Sequence, residues 1–168
     1  MPLPPRLLTA VCLLGGTGLC LALPPAIPPQ VETSALPAAP LPWSETNPYR
    51  GNPLAAAIGH AAFGQACSGC HGPDAEAARA PAPDLRRIGR ACKRVDDPAL
   101  QQRCLRDADV YFRDSVRQGK VKVGVRHMAA WEGILTPELV WAIRTFVESS
   151  AAGPDDRSLS PALRNPAQ

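Results

Sequence analysis

Residues 52–71 read NPLAAAIGHAAFGQACSGCH, and this stretch decides the fold. Asn52 followed by Pro53 is a helix start, a side-chain cap and then a residue whose missing N–H costs nothing in the first turn. The helix predicted from it runs toward Cys67 with Leu54, Ile58 and Ala62 on one face. Working outward, the same device recurs at Thr136-Pro137, with Glu138 favourable in the first turn. Beyond it Leu139, Val140, Ile143, Phe146 and Val147 fall at i, i+1, i+4, i+7 and i+8, a helical stripe. A third helix is predicted from near Asp109 over VYFRDSVRQ, where Val110 and Tyr111 separate from Asp114 and Gln118, and Gly119 stops it. No segment alternates with period 2 and none repeats. The fold is read as all-α.

The first helix ends in Cys67-Ser68-Gly69-Cys70-His71, a C-x-x-C-H motif. Two thiols three residues apart can reach the two vinyl groups on one edge of a porphyrin, and the next residue, His71, then lies under the ring to ligate iron. The expected cofactor is one haem c, covalently attached through Cys67 and Cys70. The bland readings are a redox dithiol or half a zinc site. The first belongs with strands that are not predicted here, and the second lacks another C-x-x-C. For the opposite side of the iron the sequence favours Met128, the only methionine outside the first residue, 57 positions beyond His71 in a Gly-rich loop. His127 beside it, His60 on the first helix and an open position are the alternatives.

The ends differ in character. Arg6 precedes an uncharged run from Leu7 to Ala22, which is read as a cleaved export signal within residues 1–26 rather than a spanning helix. Leu21-Ala22, Ala26 and Ala35 are candidate cut sites, and an uncleaved anchor is the alternative. The 20 prolines crowd the two ends. Residues 27–50 are read as a Pro/Ala-rich linker and 150–168 as a disordered tail, which leaves a domain over 51–149. Aromatics at 5% imply a small core that needs a staple. Cys12 and Cys20 leave with the signal, so Cys92 and Cys104 remain beyond the motif in a compartment that permits disulfides. From Arg79 to Arg126 there are 13 Lys/Arg against 6 Asp/Glu, read either as a solvated face or as a basic docking face for an acidic redox partner. Nucleic acid is excluded by export and by the lack of interleaved aromatics. Arg86, Arg87 and Trp131 are candidate contacts to haem propionates.

From about Asn52 to Glu148 the chain resembles the class I c-type cytochromes. The matching residues are Gly59 and Phe63 before the motif, Pro83-Asp84-Leu85 after it, Met128, and Ile143 with Phe146 on the last helix. The resemblance implies that the Pro83 carbonyl accepts the Nδ1–H of His71, and that Gly59 allows close crossing with Phe146. YRGNP, CSGCHG, APDL, DADVYFRDSVRQGK and HMAAWEG are similar to the cytochromes that accept electrons from PQQ-dependent quinoprotein alcohol dehydrogenases, which carry an additional cysteine pair. That implies a Cys92–Cys104 disulfide, with free thiols or a dimer bridge as alternatives. It also implies a monomeric periplasmic electron carrier, not an enzyme, that passes electrons on to a cytochrome or terminal oxidase. A catalytic or gas-sensing haem protein and a fixed subunit of a membrane complex are the competing readings. Many relatives have proline after the ligand methionine; here it is Ala129, which loosens the loop.

Overall fold

Three long helices start on the same cap-and-proline device, one more than the sequence reading used. The computed structural model describes residues 25–39, 41–77 and 82–151. In chain order these form α1 (Pro53–Ala66), α2 (Ser68–His71), two short 3-10 turns (Leu85–Arg87 and Arg90–Arg94), α3 (Pro98–Gln118), β1 (Lys120–Lys122), β2 (Val125–Met128) and α4 (Pro137–Ser150). The side chains of Asn52, Asp97 and Thr136 accept first-turn N–H groups of α1, α3 and α4. The stretch through residue 24 that was read as an export signal, Arg79, and the tail from residue 152 lie outside the described residues.

α3 therefore begins at Pro98, eleven residues before the predicted start near Asp109. Its first half is polar, so no apolar stripe announces it, and the Asp97-Pro98 cap was the available signal. A Cys92–Cys104 disulfide, with Cα atoms 5.6 Å apart, ties this half to the turn before it. Phe112 and Val116 face inward from the second half, whereas Tyr111 is exposed. The all-α expectation needs a second correction. β1 and β2 form a small antiparallel ribbon that carries Met128 on a strand instead of in a loop. Three- and four-residue strands are too short to declare themselves by alternation.

α4 is the central element. Every residue from Leu139 to Val147 is buried, including Arg144 and Thr145. α1 crosses it with Ala55, Gly59, Ala62 and Phe63; of the predicted Leu54–Ile58–Ala62 face, Ala62 is buried and Ile58 packs at the core edge, but Leu54 is exposed. Small residues win this interface because the backbones nearly touch. A Cβ on Gly59 would stand 2.0 Å from the Ala142 carbonyl oxygen. The close crossing exists, but its partner is Ala142. Phe146 lies a turn farther on, stacked by the His60 ring at 4.6 Å and met by Phe63 at 5.2 Å.

Residues 25–50 have the irregular backbone that their prolines predict, yet they are laid on the domain. Leu36 and Tyr49 pack with Ala55, Trp141 and Ala142. Ala26, Val31 and Trp43 border the main core, and Gln30 exchanges two hydrogen bonds with Gln65 of α1. The arm's strongest anchor is ionic. Asp109, fully buried, accepts from Arg144 Nε at 3.0 Å, Arg50 Nη2 at 2.6 Å and the Asn47 backbone N–H at 2.9 Å. Glu148 completes the cluster, 2.9 Å from Arg50 and 3.0 Å from Arg144. Two cations face two carboxylates, so the buried charge is balanced, the condition under which such a cluster is tolerated.

Candidate functional site

The helical path barely breaks at the motif. Cys67 donates its N–H to Phe63 O at 2.8 Å, closing α1, and its own carbonyl accepts the N–H of His71 at 3.0 Å. The Ser68 hydroxyl donates back to Gly64 O at 2.6 Å. Cys67 and Cys70 consequently sit about one turn apart on one side of the chain. Cys70 is exposed and Cys67 half-buried, and neither is in a disulfide. Burial, reinforced by the neighbouring Cys70, pushes the Cys67 thiol up to about 12.

The chain after the motif turns back so that Ala82 N–H reaches Cys70 O and Leu85 N–H reaches Ala75 O at 3.1 Å. This delivers the Pro83 carbonyl to 3.1 Å from His71 Nδ1. A carbonyl only accepts, so Nδ1 carries the proton and the Nε2 lone pair is left free. Burial lowers the His71 pKa, partly opposed by that hydrogen bond, so the ring stays neutral as a metal ligand requires.

Met128 ends β2 and is partly buried against the core cluster of Phe63, Ala75, Phe112, Val116 and Trp131. Cys67, Leu85 and Ile88 border that same cluster from the motif's side. His127 is exposed, since successive strand residues point to opposite faces. His60 is also exposed, with its ring spent on Phe146. The structure thus turns both histidine alternatives outward and the methionine inward. The segment around Met128 is also pinned without the missing proline. A Cβ on Gly119 would come within 2.4 Å of Met128 O, Trp131 N–H bonds Val116 O at 3.0 Å, and Arg117 pairs with Glu132. Ala129 therefore does not leave the loop slack.

The propionate candidates divide. Arg86 is engaged by Asp84 and Glu76, each at 3.0 Å, Arg87 is exposed, and Trp131 is buried in the core. The Asp109–Arg144–Arg50–Glu148 cluster was missed altogether. Its only sequence signal is an arginine inside the apolar run of α4.

These residues fit a haem c: two free thiols on one turn for the porphyrin edge, an imidazole with Nδ1 pinned and Nε2 free for iron, and a soft thioether at the edge of the same apolar core. A family of sequences described as cytochrome C oxidase, cbb3-type, subunit III matches residues 54–147. The chain belongs to the c-type cytochromes. It is 31% identical over 137 residues to cytochrome c550 of Pseudomonas aeruginosa, covering 79% of this chain and 84% of that protein. No solved structure matches. The family match runs from α1 to α4 and implies a covalently bound haem c in an electron-transfer protein. The arm before Asn52 lies outside the matched domain.

Proposed function

We propose that this c-type cytochrome is a periplasmic single-electron carrier. It would take electrons from a PQQ-dependent quinoprotein alcohol dehydrogenase and pass them toward a terminal oxidase or another cytochrome. Cys67 and Cys70 would hold one haem c by thioether links, and His71 and Met128 would be the residues that hold its iron. The bound iron supplies one-electron redox chemistry, and no side chain of this chain does acid–base work. The Pro83 carbonyl orients the His71 ring, and the thioether of Met128 favours the reduced iron and raises the potential relative to a second histidine. Phe63, Phe112 and Trp131 keep water from the core side. The observation that carries this reading is the His71–Pro83 hydrogen bond at 3.1 Å with Met128 set against the same core.

Rapid mixing of the oxidised protein with a quinoprotein alcohol dehydrogenase and its alcohol tests the donor. Reduction within the dehydrogenase's turnover time supports it, and reduction only by small reductants overturns it. The description of the matching family as an oxidase subunit favours a second reading, a fixed subunit of a membrane complex. Mass spectrometry of the native N-terminus separates the two, since a retained segment from Arg6 to Ala22 supports the fixed subunit.

A further inference from the structure

The β1–β2 ribbon places apolar side chains where folding gives them nothing. Val121, Val123 and Val125 are 64%, 103% and 59% exposed. The register pairs Val121 with Arg126 and Lys122 with Val125, so each face of the ribbon carries one valine and one cation. Neither face is buried. At the ribbon's base Met128 stands opposite Lys120 and borders the core cluster. Alternation puts Arg126, and with it Val121, on the face of Met128, so the opposite face with Lys122 and Val125, and the tip at Val123, lie away from an iron held by Met128.

The tip adds an independent observation. Val123 and Gly124 form the two-residue turn with φ of +49° and +75°. Such turns want Asn, Asp or Gly, and a β-branched residue at positive φ is a strained choice. Val123 is therefore unfavourable both for backbone conformation and for exposure. Strain of this kind points to function when nothing in the fold needs it.

The charge around the tip has one sign. Residues 115–131 contain Arg117, Lys120, Lys122 and Arg126 and no carboxylate. Arg117 is paired with Glu132, and the Lys120 ammonium lies 4.6 Å over the exposed Tyr111 ring. Lys122 and Arg126 have no acidic partner among the described residues, whereas Lys120 also acts electrostatically on Asp114.

We propose that the 120–128 ribbon is the docking knob for the redox partner, with Val123 and Val125 entering a shallow apolar recess that acidic residues surround. The inference rests on the carrier reading and deepens it. Cations around the knob steer the encounter, the valines hold it, and the chain path from knob to Met128 is five residues long. A protein surface is favoured over a lipid surface because the knob offers valines without the Trp, Phe or Leu that seat a segment in a bilayer interface.

The test uses the full holo-cytochrome and two probes: the quinoprotein alcohol dehydrogenase, and washed host membranes respiring through the cytochrome. Val125→Ser with Val123→Gly should lower the second-order rate about tenfold with the partner that uses this face. Lys122→Glu should also lower that rate and flatten its dependence on ionic strength. Reduction by ascorbate and the visible spectrum should not change, and Val123→Gly should not lower the melting temperature, which excludes a folding defect. Wild-type rates in both variants with every partner the wild type serves would overturn the proposal. So would co-sedimentation of the wild type with phosphatidylglycerol vesicles that the valine variant loses. Exchange with neither partner by the wild type would overturn the carrier reading and this inference with it.

Discussion

The arm over residues 25–50 and the ribbon over 120–128 are both irregular additions to a helical domain, and they are treated in opposite ways. The arm is proline-rich, yet it buries Leu36, Asn47 and Tyr49 and feeds Arg50 to two carboxylates. The ribbon is regular β-structure, yet it leaves three valines in water. Composition alone predicts the reverse. What decides is whether the domain offers a matching surface. Buried Asp109 and the flank of α4 provide one for the arm, whereas the ribbon's valines stay exposed.

The comparison breaks most readily at Asp109. Asp109→Ala leaves Arg144 buried with half its partners, and a loss of about 3–5 kcal/mol is expected in urea unfolding. A loss below about 1 kcal/mol would mean that the arm is held by apolar contacts alone. Replacing Cys92 and Cys104 by serine should cost up to about 3 kcal/mol from a loop of this size. Hydrogen exchange should rise over the first half of α3 and stay low around Asp109, because the arm seats on the second half. Val123→Gly sharpens the ribbon side. Relief of the left-handed valine should stabilise the protein by about 1 kcal/mol, visible as a higher melting temperature. The smallest effect concerns acid. Arg86 holds the Asp84 carboxyl below the usual carboxylate range, so its stabilisation is complete above that range and is lost as pH falls through the lowered value. Asp84 and Arg86 are both part-exposed, so Asp84→Asn should flatten the acid limb of a stability–pH curve by less than about 1 kcal/mol.

Much of the site was legible because its chemistry is local. C-x-x-C-H fixes Cys67, Cys70 and His71 within one turn, and the resemblance pointed to Pro83, which lies 3.1 Å from His71 Nδ1, and to Met128, which borders the same core. The apolar stripe of α4 was legible for the same reason, since period 3.6 survives in the sequence. What was not legible depends on contacts across long separations. Asp109 answers Arg144 at 35 positions and Asn47 at 62, and no local pattern announces either. The α1 face was right at Ile58 and Ala62 and wrong at Leu54, because a large apolar residue draws attention while Ala55 and Gly59 make the close contact. The start of α3 was missed for want of an apolar stripe, although Asp97-Pro98 repeats the signal that located α1 and α4.

The most direct test of the central claim is the visible spectrum of the purified, exported protein, oxidised and then reduced, beside that of Met128→Ala. A c-type α band in both proteins, with a far-red methionine–iron charge-transfer band in the oxidised wild type alone, is the predicted result. A wild type without that band would contradict Met128 as the sixth ligand, and a wild type without haem, in a host that attaches it, would contradict the account as a whole.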